Sequence, residues 1–258
     1  MATERDLLAA GIILRAVLPV AKVVVDQVPS MKKRFQGVNA KFQIAAENGN
    51  DEIGAHFVFK NGSLDVVQGI CSSPDIMFTF GKVEGMIAFL TGGIALPRIK
   101  GITKPGLLLK FISLLLSLTI LLPNKKPKKY EKIRLKVNLI IYMITTALSQ
   151  YNKGGDPDMV KWTAKQPDRV YQMSCEPEGS AAYVRIKAGR SKAGRGYYTR
   201  RRPFVHMKFR GAEKALPVFL GDMAFVEAVG KGYVEIVGSP EYAAQLNDFM
   251  QRIQALIT

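Results

Sequence analysis

The chain has 258 residues, 48% of them hydrophobic, a formal net charge of +16 and only two cysteines. That is ample for packed cores and leaves no material for a disulfide framework. Cys71 and Cys175 sit beside polar residues, with no CxxC or Cys/His metal spacing anywhere, so the composition suits a reducing cytoplasm and implies no metal or cofactor.

The positive charge is concentrated. Asn124 to Lys136 holds seven Lys/Arg against the single Glu131, and Arg185 to Arg210 holds ten with no acid; the remainder is balanced at 20 basic and 20 acidic residues. An anionic partner therefore meets one or both of these segments, which otherwise serve as solvated linker and loop surface.

In chain order, the N-terminus carries no basic leader: Glu4 and Asp6 precede its apolar run, and Arg15, Pro19 and Lys22 interrupt it. This reads against a signal peptide or anchor, with interfacial attachment as the alternative. Arg5 to Gln27 has helical spacing with a wide apolar face, bent or split at Pro19 and ended by Pro29, and Met31 to Asn39 is a basic connector with a further turn of helix. From Ala40 the period becomes alternating. Phe42, Ile44 and Ala46 share a face, then Ala55, Phe57 and Phe59; Asn61-Gly62 is a hairpin turn into Ser63 to Gly69, and Ile76 to Phe80 follows, giving an antiparallel meander of four strands. Lys82 to Leu90 predicts a short helix, Arg98 to Gly101 a closing strand and Leu107 to Leu122 a helix too short to cross a bilayer, stopped by Pro123. The lysines 125, 126, 128 and 129 repel one another and place a junction near Asn124.

Ile133 to Tyr151 predicts a second amphipathic helix, after which the order starts again. Phe42-Gln43-Ile44 is echoed by Tyr171-Gln172-Met173, Lys60 and Gly62 by Lys187 and Gly189, and Pro74, Phe80 and Glu84 by Pro203, Phe209 and Glu213. Arg98 to Gly101 is matched by Val234 to Gly238 after a longer insert, and the Leu107 helix by a less apolar one from Pro240 to Ile257. The reading is an α+β tandem duplication: residues 1–123, a basic linker at 124–130, and residues 131–258.

This pattern resembles the lipid-binding domain of the sterol carrier protein two type. The resemblance is carried by Phe59-Lys60-Asn61-Gly62, the Pro74-Asp75 step into a strand, Val83 to Leu90 followed by Gly92, and Ile99-Lys100-Gly101 before the last helix. In the second copy Ile186 to Gly189, Pro203 into Val205 to Phe209, Gly221 and Glu235 to Gly238 carry it. It implies a mostly antiparallel sheet and helices enclosing an apolar tunnel for sterols, fatty acyl chains or phospholipids, without catalysis. The second copy departs from the first with Phe204 in place of Asp75 and a far more basic hairpin.

Candidate cavity walls in the first copy are Met77, Phe78, Met86, Phe89, Leu90, Leu108, Phe111, Ile112 and Leu115. In the second they are Val205, Met207, Leu216, Phe219, Leu220, Phe225, Leu246 and Met250, and each of the seventeen reads as ordinary core ahead of ligand contact. Candidate anion- and membrane-binding residues are Lys125, Lys126, Lys128 and Lys129, with Arg190, Lys192, Arg195, Arg200, Arg201 and Arg202 around Tyr197 and Tyr198. Basic residues interleaved with aromatics also hold phosphates and stack bases, so a nucleic-acid or acidic-partner adaptor is the alternative. Enzyme chemistry has little support: His56 and His206 have no partner at a recognisable motif spacing, and no phosphate-loop or dinucleotide fingerprint is present. The expectation is a cytoplasmic, non-catalytic lipid carrier that touches anionic membranes transiently.

Overall fold

The computed structural model describes residues 2–257. Thr3 opens the first helix, α1 (Glu4–Ile12), with a reciprocal cap: its hydroxyl accepts from the Asp6 N–H while the Asp6 carboxylate accepts from the Thr3 N–H. The helix then widens into a π-turn at Ile13–Val17, tightens into a 3-10 turn at Leu18–Val20 and resumes as α2 (Ala21–Gln27). Pro19 causes the change, because its ring displaces the carbonyl four residues back and offers no N–H to the ladder. Glu4–Gln27 is the one stretch among the described residues long and apolar enough to cross a membrane, and 67% of its most apolar window is buried inside the protein. Helix α3 (Pro29–Phe35) follows.

Five strands come next in the first unit, which ends at Leu122. They are β1 (Ala40–Asn48), β2 (Asp51–Lys60), β3 (Ser63–Gln68), β4 (Ile76–Phe80) and β5 (Arg98–Lys100), with α4 (Val83–Leu90) before β5 and α5 (Pro105–Leu118) after it. The order is β3-β2-β1-β4-β5. The four-strand meander expected from the sequence is therefore corrected, since β4 pairs with β1 in parallel, Phe42 opposite Ile76 and Ile44 opposite Phe78. Phe42, Ile44 and Ala46 are buried, so β1 belongs at the centre of the sheet and needs a neighbour on both sides. The Gly69–Asp75 crossover that makes this possible is held by Gln43, whose Oε1 accepts the Cys71 N–H at 2.6 Å.

A second unit begins at Pro123. Helices α6 (Tyr130–Lys153) and α7 (Pro157–Ala164) precede β6 (Arg169–Glu176), β7 (Ser180–Lys187), β8 (Arg190–Arg195) and β9 (Val205–Arg210). Then come α8 (Ala212–Phe219), α9 (Phe225–Gly230), β10 (Val234–Gly238) and α10 (Pro240–Ile257). This sheet has the order β10-β9-β6-β7-β8, the first sheet's order step for step, again with one parallel pair at its centre. The parallel register also matches at a spacing of 129 residues, from Phe42 opposite Ile76 to Tyr171 opposite Val205. Both hairpin turns use a left-handed pair, Asn61-Gly62 (φ 48° and 83°) and Ala188-Gly189 (φ 44° and 81°), the twist that closes a two-residue hairpin.

Gln172 repeats the part of Gln43. It is buried in the central strand, accepts the Tyr198 N–H at 2.9 Å and donates to the Ala182 carbonyl at 2.8 Å. Helix α6 is fixed by a buried polar cluster: Asn152 donates to the Gly189 carbonyl at 2.9 Å and accepts from the Thr163 hydroxyl at 2.6 Å, while Ser149 and Ser191 lie 3.2 Å apart. Those bonds tie it to α7 and to the β7–β8 turn, and satisfied polar groups at such depth fix position as well as stability.

Candidate lipid-facing site

In the first unit the site is organised by Phe111. Helix α5 starts at Pro105, whose fixed φ and missing N–H suit a first helical turn, and it places Phe111 beneath the middle of the sheet. The Phe111 ring lies 5.0 Å from Phe42, 5.0 Å from Phe78 and 5.7 Å from Phe57. Phe89 of α4 closes one side, 6.2 Å from Phe78 and 5.3 Å from Phe80. Phe78, Met86, Phe111 and Leu115 are buried on this side of the sheet, and Phe89, Leu90, Leu108 and Ile112 are half-buried around them.

Met77 is a correction. It is one residue from Phe78 on β4, so the pleat turns it to the opposite face, where its sulfur accepts a hydrogen bond from Gln43 Nε2 at 3.1 Å. It cannot share a wall with Phe111.

The outward side of α5 is also apolar. Leu109 is 68% exposed and Leu116 63%, and Ser113 between them takes a hydrogen bond from the Arg34 guanidinium on α3. The three residues follow helical spacing along one face. In the loop between α4 and β5, Ile94 is 99% exposed and Leu96 91%, and Ile102, before α5, is 63% exposed. This loop adjoins the far end of the helix, since a Cβ at Gly92 would lie 2.9 Å from the Leu122 side chain. None of these five residues stood out in the sequence, where a hydrophobic residue carries no sign of its exposure. The available signal was the apolar pair Ile94 and Leu96 caught between Gly92-Gly93 and Pro97, in a place where a loop should be polar.

In the second unit Val205, Met207, Leu216, Phe225, Leu246 and Met250 are buried, with Phe219 and Leu220 half-buried. Phe219 packs 4.5 Å from Phe209. Trp162 stands 5.5 Å from Tyr171 and 5.4 Å from Phe249 of α10, and its indole N–H donates to Gln245 at 2.7 Å. The Arg169 guanidinium lies 3.9 Å over the Phe204 ring and 4.5 Å over Tyr242. That contact accounts for an aromatic residue at the position where the first unit has Asp75.

The basic segments are partly engaged. Arg185 grips Asp168 with two hydrogen bonds, 2.7 and 2.6 Å, and Arg201 approaches the same carboxylate at 2.5 Å. The bond from Arg185, then that from Arg201, holds the Asp168 carboxyl well below the usual carboxylate range. Lys208 and Arg210 both pair with Glu235, and the Arg195 guanidinium sits 5.0 Å over Tyr142. Arg190, Lys192, Arg200 and Arg202 are exposed, as are Lys125, Lys128 and Lys129. The linker is not wholly free in water: Lys126 pairs with Asp222 at 2.7 Å, and Lys136 donates to the Lys125 carbonyl at 2.6 Å. Burial, then the charge of Lys126, pushes the Lys136 ammonium down to about 8.

Of the histidines, His56 Nδ1 lies 3.0 Å from the Gly69 carbonyl oxygen. His206 Nε2 lies 2.8 Å from the buried Ser174 hydroxyl, a pairing that sequence spacing concealed because it joins two strands. Among the described residues no carboxylate hydrogen-bonds to His206, and burial lowers its pKa. Cys71 is half-exposed in the crossover and Cys175 is buried; both are free thiols. No group of three or more His, Cys, Asp or Glu able to hold a metal ion occurs among the described residues.

No family model matches the chain, and no curated protein sequence matches it. Among solved structures it is similar to the stereoselective inverting sec-alkylsulfatase Pisa1 from Pseudomonas sp., at 12% identity and a TM-score of 0.28, over 57% of this chain and 28% of that one. A double mutant of the same sulfatase gives 12% identity and a TM-score of 0.28, over 63% of this chain and 31% of that one. Such a score carries no argument about fold or activity.

Proposed function

We propose that this chain is a non-catalytic lipid-binding protein made of two diverged copies of a sterol-carrier-type domain, working in the cytoplasm and at the face of anionic membranes. The observation that supports the reading is that ten of the seventeen candidate wall residues are buried and the other seven half-buried, with none of them exposed. In the first unit they come from β4, α4 and α5, with Phe78 packed on Phe111, and in the second from β9, α8 and the residue after it, α9 and α10. Each methylene of an acyl chain or sterol taken up between such layers contributes roughly 0.8 kcal/mol, so half a fatty chain supplies several kcal/mol before ordering costs. Exposed Lys125, Lys128 and Lys129, with Arg190, Lys192, Arg200 and Arg202, each add about 1 kcal/mol beside an anionic headgroup layer.

Native mass spectrometry followed by organic extraction tests the reading. A stoichiometric sterol or acyl lipid, lost in Phe89→Asp or Leu108→Asp proteins that keep their circular dichroism, is the expected result. A clean apo mass with no uptake of a fluorescent fatty acid overturns it and moves the case to an adaptor that uses the basic segment on filled cores, measured as RNA binding to Arg190, Arg200 and Arg202.

A further inference from the structure

Apart from the walls around Phe111, the first unit carries an apolar strip that nothing in the described residues covers. Its members are Ile94 and Leu96 at the loop tip, and Leu109 and Leu116 on the outer face of α5. Leu109 and Leu116 share one face of that helix, and the loop approaches the chain just beyond the helix, where Gly92 lies beside Leu122. From Gly85 to Leu122 the chain has no Asp or Glu; of its cations Arg98 pairs with Glu47 and Lys104 with Asp75, whereas Lys100 and Lys110 make no ion pair among the described residues. Arg34 reaches into the strip at Ser113, and its neighbours Lys32 and Lys33 on α3 are exposed.

We propose that this strip is a membrane-insertion surface: Ile94, Leu96, Leu109 and Leu116 enter the interfacial layer of an anionic bilayer while Arg34, Lys110 and the α3 lysines meet its headgroups. The inference rests on the lipid-binding reading for its purpose and adds the place where the bilayer is met, on residues outside both basic segments. Two observations favour a bilayer over a protein. Ile94 and Leu96 are almost wholly exposed on a projecting loop, which a fluid interface can surround with no matching pocket. The positive rim also complements anionic lipid, where each basic residue near the surface adds to binding. A helix of this kind lies in the plane of the interface with its apolar side about 5–10 Å deep, within reach of the side chains of α5.

The test is cosedimentation of the full chain with phosphatidylcholine vesicles, with and without added phosphatidylserine. The expected result is binding that requires phosphatidylserine, falling at least about tenfold in Ile94→Asp/Leu96→Asp and in Leu109→Asp/Leu116→Asp, because each pair removes two large apolar side chains from the interface. All four positions are exposed, so these proteins should fold; the milder Leu109→Gln/Leu116→Gln protein serves as a second reading, with an intermediate loss. Unchanged vesicle binding in both Asp pairs overturns the proposal. So does sedimentation equilibrium showing a dimer in the parent protein that both pairs dissociate without loss of vesicle binding, which makes the strip a contact between copies. Native mass spectrometry of the same proteins separates this result from the cargo reading. Cargo retained with docking lost supports the strip, whereas docking retained in a parent protein that never holds lipid removes the carrier function alone.

Discussion

Helices α5 and α10 each follow the last strand of a five-stranded sheet of the same order, yet their outward sides differ. On α10 that side carries Glu241, Asp248, Gln251 and Arg252, all exposed, and Arg252 pairs with Asp158 at 2.6 Å. On α5 it carries Leu109 and Leu116. Inward, α5 contributes Phe111 to a cluster of phenylalanines, while α10 offers Leu246, Phe249 and Met250 beside Trp162. The fold needs only the inward half of each helix. The outer half is free of that demand, and in the first unit it exposes Leu109 and Leu116.

The largest difference should come from the centre of that comparison. Phe111→Ala is expected to destabilise the first unit by about 3–5 kcal/mol, and Met250→Ala the second by about 2–5 kcal/mol, nearer the lower figure because its thioether sits at the margin of the core. Chemical denaturation, with hydrogen exchange assigning each transition to its unit, measures both; equal losses would mean that the two helices do the same job.

Next come two glycines that should behave alike. Gly101 (φ 89°) and Gly238 (φ 108°) each bring the backbone so close that a Cβ would stand 2.1 Å from a carbonyl oxygen, of Asp75 and Phe204 respectively. Alanine at either site is expected to cost about 2–3 kcal/mol, and a tolerated alanine at only one would break the equivalence of the units.

A smaller and unequal effect is expected from the two buried glutamines. Gln43→Ala strands the Cys71 N–H and Gln172→Ala strands the Tyr198 N–H, each costing about 1–3 kcal/mol. The second should be the larger, because Gln172 also serves the Ala182 and Gly196 carbonyls. The smallest effect concerns pH. The Asp168 carboxyl is lowered in the folded protein from an ordinary value of 3.8, so its stabilising contribution is present above pH 3.8 and is lost as pH falls through the folded value. Acid titration of Asp168→Asn should show a flatter acid limb for the second unit and no change in the first.

What the sequence showed of these elements was their apolar periodicity. Phe42, Ile44 and Ala46 announced a strand, but alternation has no direction, so the parallel pairing of β1 with β4 was hidden. Alternation also separates neighbours, which is why Met77 could be named with Phe78 and still face the other way. Helix α7 went unread: eight residues beginning Pro157-Asp158 give too short a pattern, and its start depends on Asp156 accepting the Met159 N–H at 2.8 Å. The charge clusters were plain, but their partners were not. Asp168 is 17 residues from Arg185 in the chain and meets it only when β6 and β7 pair.

The placement of the two thiols gives the molecule a chemical asymmetry that an experimenter can use. Burial, then the nearby Glu178, pushes the Cys175 thiol up to about 12, and no part of it is open to solvent; Cys71 stands half-open in a surface crossover. An alkylating dye near neutral pH should therefore mark the first half of the chain once and leave the second unmarked. A dye on Cys71 becomes a reporter for that half alone, and the slow appearance of a second label becomes a clock for the opening of the other.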